Sequence, residues 1–238
     1  MARIFSEDKD NTAKYVAFFD LDGTIISEIS GNALVRMAWK RGLISRLDLM
    51  RAFYIYILFK LRLRDPLEII DDMVGWAKGK TESEMEELCL DVFREVLLPS
   101  LFSEAIKEIN IHKEKGAKVI LLSSALSSIC SSMSDTLRLD GYICSSLEVV
   151  EGYLTGRPAG RLCYGEEKLH RMTGYCTANN LGQSALWYYS DSISDLPALL
   201  YVGNPVCVNP DRELKKEALK RGWRILLWAH CPLPTANL

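Results

Sequence analysis

Apolar positions along this chain change their spacing twice. Tyr15-Val-Ala-Phe-Phe19 is a short apolar run of strand formers, closed by the polar stretch Asp20-Leu-Asp-Gly-Thr24. From about residue 27 to residue 99 no comparable strand follows. Instead Ser45 with Asp48, Asp65-Pro66 with Glu68, and Thr81 with Glu84 each place a capping residue three positions before an acid, and a further helix start lies near Gly31. These signals predict a small helical bundle. After Pro99 the pattern alternates between helix and strand, with strands expected at residues 119–122, 185–189, 205–208 and 224–228. Continuous apolar strands without a polar face mark a parallel sheet covered on both sides. Residues 141–156 differ, and Tyr153-Leu-Thr-Gly-Arg157 predicts a short antiparallel excursion. The expected architecture is α/β: a doubly wound parallel-sheet, Rossmann-like core formed by residues 1–27 and 100–238, interrupted after its first strand by a helical-bundle insert at 28–99.

Composition narrows the class. The chain has 238 residues, 48% of them apolar, and a formal net charge of -2. That length can bury a sizeable core, and near-neutral charge leaves no electrostatic footprint for nucleic acid. Seven cysteines form no C-x-x-C pair and are odd in number, which fits reduced structural thiols in a cytosol better than a disulfide framework or a zinc site. Residues 1–14 are polar and mixed in charge, unlike a signal peptide, and the longest apolar run, residues 52–59, is far too short to cross a bilayer. The expectation is a soluble, cytoplasmic protein.

In doubly wound sheets the ligand site lies at the carboxyl ends of the strands. The polar residues there are Asp20 and Asp22 after the first strand, Ser123 after the second, and Asp191 with Asp195 after residue 189. Two carboxylates two residues apart in an extended segment point the same way, and Gly23 permits an abrupt turn directly after them. One carboxylate can attack phosphorus while the other protonates the leaving oxygen and later deprotonates water. The alternative is an acidic surface turn; an EF-hand is excluded because no Glu occupies the twelfth loop position. Asp191 and Asp195 form a second acidic cluster, which needs a cation to stay ionised and whose hard oxygens suit Mg²⁺; their alternative role is to cap the helix before Pro197. Ser123, with backbone N–H groups of a helix expected to start near Ser124, can bind phosphate oxygens. Lys168, in the first turn of a helix after Gly165, can neutralise a nucleophile and a transferring phosphoryl group.

Taken in order, strand–DxDGT, strand–Ser, helix–Lys and strand–DxxxD resemble the haloacid dehalogenase superfamily. The pieces Phe18-Phe-Asp-Leu-Asp-Gly-Thr24, Gly152-Tyr-Leu-Thr-Gly156, Gly165-Glu-Glu-Lys168, Tyr189-Ser-Asp-Ser192, Ser194-Asp-Leu-Pro197 and Val208-Asn-Pro-Asp211 are similar to its phosphoserine-phosphatase-like branch. That branch carries a helical cap where this chain has its insert. The resemblance implies that Asp20 is the nucleophile and Asp22 the general acid and base. It implies Mg²⁺ held by Asp20, the backbone carbonyl of Asp22 and Asp191, with Asp195 in support, and a phosphoryl group bound by Ser123, Ser124, Lys168 and Thr24. An acid at position 22 favours phosphate hydrolysis or transfer over dehalogenation and ion transport. Three readings stand: a phosphomonoester hydrolase, a phosphotransferase or mutase, and a non-catalytic binding protein on the same fold.

Departures from the family bear on the substrate. Phosphoserine phosphatases grip the amino acid with a glutamate shortly after the first motif and an arginine in the cap. Glu28 is the nearest candidate for the first, one residue closer to the nucleophile than expected. Aligning the cap on Val74-Gly-Trp-Ala-Lys-Gly79 puts Met73 where the arginine should be. A substrate carboxylate without a cationic partner would bind poorly in a closed site. The expected substrate is therefore a small phosphorylated metabolite other than L-phosphoserine, with a neutral, cationic or partly apolar leaving group facing the aromatic insert and Trp76. Residues 47–63, edged by Arg51, Lys60, Arg62 and Arg64, read as a cap helix with basic residues turned outward rather than as a membrane-surface helix. His112, His170 and His230 share no metal-ligand spacing and are expected to pack or face solvent.

Overall fold

The computed structural model describes residues 15–48, 50, 54 and 74–229. Its core is a six-stranded sheet in the order β3-β2-β1-β6-β7-β8, from β1 (Val16–Phe19), β2 (Lys118–Leu126), β3 (Gly141–Ser145), β6 (Leu186–Ser190), β7 (Asn204–Val208) and β8 (Arg224–Leu226). Every pairing in it is parallel. Alternate residues of each strand enter different apolar layers. Ala17, Phe19, Val119, Leu121 and Tyr189 join one cluster, while Val16, Phe18, Ile120, Leu122 and Tyr188 join the other. Helices α1 (Ser30–Lys40), α2 (Glu82–Val92), α3 (Ser103–Glu114) and α4 (Ser127–Leu137) cover the first face; α5 (Glu166–Ala178), α6 (Leu196–Tyr201) and α7 (Arg212–Arg221) cover the second. The expected α/β class and parallel sheet are therefore present.

Two expectations change. The strand at residues 119–122 runs on to Leu126, and the helix after it starts at Ser127, not near Ser124. Pairing with β3 out to Leu126 and Ser145, past an irregularity after Leu122, keeps Ser123, Ser124 and Ala125 extended where the sequence predicts a helix start. Within residues 141–156, the first five form an edge strand of the main sheet. Only β4 (Leu147–Val150) and β5 (Tyr153–Pro158) make the antiparallel excursion.

The insert grows out of the core without an apolar break. Leu34, Met37 and Ala38 of α1 and Leu88, Cys89 and Val92 of α2 lie in the same cluster as Phe19 and Leu121. Burying each large side chain contributes on the order of 1.5–3 kcal/mol, so α1 and α2 are packed onto the sheet rather than tethered to it. Arg41 at the end of α1 pairs with Asp91 of α2. The Thr81–Glu84 signal is a true capping box at the start of α2, and Ser45 and Asp48 exchange the same kind of bonds at the helix beginning at residue 46. The β4–β5 hairpin clasps the insert, with Gly79 N–H donating to the Leu154 carbonyl and Leu154 N–H to that of Lys80, both at 2.8 Å. The helix start expected at Asp65 and, apart from the exposed Tyr54, the apolar run 52–59 lie outside the described residues. Among the described residues no helix is long and apolar enough to cross a membrane.

Candidate active site

Because β1 pairs with both β2 and β6, the residues that follow it lie between the ends of those two strands. Phe19 faces Leu121 on one side and Tyr189 on the other. This is where the strand order reverses, the usual place for a ligand in a doubly wound sheet. Asp20 continues β1 by donating its N–H to the Tyr189 carbonyl at 2.9 Å. The chain then winds up: the Leu21 carbonyl accepts from Ile25 N–H at 2.8 Å and Ile26 N–H at 3.0 Å. Gly23 sits at φ 72°, and a Cβ on it would lie 2.2 Å from Asp191 Oδ2. Glycine is thus required twice, for the turn and for the approach of the Asp191 carboxylate.

Asp22 is turned toward the insert. Its Oδ1 accepts from Ser30 N–H at 3.0 Å and its Oδ2 from the Ser30 hydroxyl at 2.8 Å. Lys168 comes from the first turn of α5 on the other side of the sheet, and is 3% exposed. Its Nζ lies 2.9 Å from Asp20 Oδ1, 2.8 Å from Asp195 Oδ2 and 3.2 Å from the Tyr188 hydroxyl. The Asp195 Oδ2 atom also accepts from the Tyr188 and Ser190 hydroxyls, each at 2.6 Å. Asp211 orders the loop between: its Oδ2 accepts from Ile193 N–H at 2.8 Å while its Oδ1 caps α7, and its own N–H bonds the Asp191 carbonyl at 2.8 Å.

Electrostatics follow from burial. Desolvation pushes Asp20 up to about 7, with Asp195 adding to it and Lys168 opposing. Desolvation likewise lifts Asp191 to about 8, helped by Asp20 and Asp195. Asp22 rises only to about 6, because both Ser30 donors favour its charged form. Burial works against the Lys168 ammonium, but Asp195 and Asp20 outweigh it and hold it well above its ordinary range. Four carboxylates and one ammonium in one pocket leave an excess of negative charge that a cation would relieve.

The donor set fits Mg²⁺. Asp22 spends both oxygens on Ser30, while Asp20 and Asp195 each give one oxygen to Lys168, which leaves the second oxygen of Asp20 and the Asp191 carboxylate as hard donors, with Asp195 Oδ1 in support. Among the described residues no three His, Cys, Asp or Glu side chains converge as a preformed cage. Two carboxylates suit a cation that keeps several waters, not one that needs a full protein shell. Among the described residues the Thr24 hydroxyl and Asp195 Oδ1 are buried without a partner: the hydroxyl can donate to a phosphoryl oxygen, whereas the carboxylate oxygen can only accept from a water or face a cation.

The remaining predicted residues are placed as follows. Ser123 is fully buried, its hydroxyl accepting from Ala125 N–H at 3.2 Å, whereas Ser124 is exposed and lies in β2 instead of a helix N-terminus. Glu28 is paired with Arg36 at 2.7 Å on the surface. Trp76 is half-buried against the cap-side cluster. Met73 lies outside the described residues. Sequence reasoning missed Ser30 and Tyr188 and quoted Ser190 without giving it a role, although the hydroxyls of all three reach the site. It quoted Asp211 without giving it a role, although an Asp one residue before a helix is a readable N-cap signal.

Known proteins resemble this chain in sequence and in fold. The sequence pattern of the haloacid dehalogenase-like hydrolases matches residues 17–200. A probable phosphatase of Mycobacterium tuberculosis is 32% identical over 221 residues, covering 90% of this chain and 75% of that protein. A histidinol-phosphatase of Neisseria meningitidis serogroup C is 28% identical over 229 residues, covering 90% and 98%. In fold, a protein of unknown function from Bordetella pertussis Tohama I superimposes with a TM-score of 0.81 at 23% identity, covering 90% of this chain and 99% of that one. A phosphoserine phosphatase holding a phospho-aspartyl intermediate analogue superimposes with a TM-score of 0.69 at 16% identity, covering 91% and 94%.

Proposed function

This chain belongs to the haloacid dehalogenase-like hydrolase family, and from that premise we propose that it hydrolyses small phosphomonoesters through a phospho-aspartate on Asp20, with Mg²⁺ as cofactor. The observation that carries this reading is the Lys168 ammonium, buried 2.9 Å from Asp20 Oδ1, beside Asp22 and Asp191 at the sheet's switch point. Asp20 and Asp191, with the backbone carbonyl of Asp22, would hold Mg²⁺, which when bound neutralises phosphoryl charge. Lys168 supports the charge that builds on the transferring group, and Ser123 and Thr24 line the phosphoryl site with hydroxyls. In the first step an Asp20 oxygen bonds phosphorus, the bond to the leaving oxygen breaks, and Asp22 gives that oxygen a proton. In the second a water attacks phosphorus and passes its proton to Asp22, and Asp20 is released with inorganic phosphate.

The substrate class is a monoester of an amino alcohol or neutral alcohol without a carboxylate. Glu28 already has a cationic partner in Arg36, and a relative matched over 98% of its own length is named a histidinol-phosphatase. The test is a panel of L-histidinol phosphate, phosphocholine, an alkyl phosphate, p-nitrophenyl phosphate and L-phosphoserine, with Asp20→Asn as control. Mg²⁺-dependent turnover that EDTA stops and Asp20→Asn lacks is expected, with L-phosphoserine well below the best substrate in kcat/KM. A clear lead for L-phosphoserine would overturn the substrate class; activity in Asp20→Asn would overturn the mechanism.

A further inference from the structure

The acid/base carboxylate is held by the insert, not by the core. Both Asp22 oxygens receive donors from one residue, Ser30, through its N–H at 3.0 Å and its hydroxyl at 2.8 Å. Ser30 is 2% exposed and is the first residue of α1. Ile29, at the N-cap position, makes no side-chain capping bond. The first amide of α1 therefore takes its acceptor from eight residues upstream, in the catalytic loop. A helix N-terminus offers unpaired N–H groups and partial positive charge, so a carboxylate is its natural occupant. The rest of α1 packs into the insert and the apolar cluster beneath it, through Leu34, Met37 and the Arg41–Asp91 pair.

We propose that Ser30 is a positioning residue that clamps Asp22 toward the leaving group, so that the proton donor is in place only while α1 is seated on the catalytic loop. This rests on the acid/base reading of Asp22 given above. The clamp leaves room for the chemistry. A carboxylate has about four lone-pair sites and Ser30 uses two, so the proton passed to the leaving oxygen can occupy another. The hydroxyl can also rotate away, whereas the N–H stays fixed.

Ser30→Ala removes the hydroxyl and keeps the N–H; Ser30→Thr restores a hydroxyl. The readout is kcat/KM on two monoesters, which reports the steps up to departure of the leaving group. An alkyl phosphate needs its leaving oxygen protonated, while p-nitrophenyl phosphate leaves as a stable phenolate. Ser30→Ala is expected to lower kcat/KM on the alkyl ester by roughly 10–100-fold, part of the worth of a positioned acid, and on the aryl ester by less than about 3-fold, with Ser30→Thr recovering most of the loss. Equal losses on both esters, or no loss on either, overturn the proposal. Asp22→Asn measured alongside separates the two claims: if it lacks the same leaving-group selectivity, the acid/base reading fails, whatever Ser30 does. Should Ser30→Ala not fold, Ser30→Cys, which keeps the volume but donates weakly, is read by the same two esters.

Discussion

His112 is buried behind the catalytic strands, and lowering the pH should destabilise the fold through it. Tyr189 donates its hydroxyl to Glu108 Oε1 at 2.8 Å, so His112 Nε2, 2.7 Å from that hydroxyl oxygen, is the donor to it. Nδ1 is then the acceptor for the Tyr15 hydroxyl at 2.9 Å, which fixes a neutral imidazole. Desolvation, with Lys115 and Arg224 assisting and Glu108 opposing, lowers His112 to about 4 from an ordinary 6.5. The unfolded chain binds that proton first, so the stability from this group is full above about pH 6.5 and is lost as pH falls toward 4. The whole shift is worth about 3 kcal/mol, of which about 2 kcal/mol disappears between about pH 7.5 and about pH 5. Asp20, Asp22 and Asp191 act oppositely, since their raised values favour the folded state as pH falls. A variant comparison removes those shared contributions. Urea unfolding followed by tryptophan fluorescence at the two pH values, on the parent and on His112→Gln, measures the difference. The variant is expected to be less stable at about pH 7.5 but to have a pH dependence about 2 kcal/mol more favourable toward acid. Parallel pH dependences, within about 0.5 kcal/mol, would refute a neutral buried imidazole.

Two further outcomes are expected. Gly23→Ala forces a side chain to φ 72° and puts its Cβ 2.2 Å from Asp191 Oδ2, so it should lose on the order of 10²-fold in kcat by displacing that carboxylate, and about 1 kcal/mol in stability; near-normal turnover would show that Asp191 need not sit there. Mg²⁺ binding should release protons and tighten as pH rises from about 6 to about 8, because Asp20 and Asp191 are raised to about 7 and about 8 and must ionise to bind it. Calorimetric titration in two buffers of different ionisation heat measures the release, and a pH-independent affinity with no proton exchange would rule it out.

Much of the site was legible because it sits where patterns end. Asp20, Asp22 and Asp191 follow apolar strands directly, and a parallel sheet brings its strand ends together whatever the helices do. Lys168 was legible as a cation in a first helical turn, and Thr81 with Glu84 as a capping box, since both are local arrangements. What could not be read involves partners far apart in the chain. Ser123 and Ser124 read as a strand end followed by a helix start, yet pairing with β3, about 20 residues on, keeps them extended. His112 meets Tyr15 and Tyr189 across separations of 97 and 77 residues, and nothing in its own neighbourhood announces them. The same holds for Tyr188 and Ser190 on Asp195: a strand residue's alternation says which face it takes, not which buried acid it will find there. The sequence by itself determined the fold class and which polar residues follow the strand ends, because periodicity encodes burial and both are local patterns. Only the tertiary structure decided which hydroxyl holds which carboxylate, because the choice of hydrogen-bond partner between distant segments exists only once the sheet has brought them within about 3 Å.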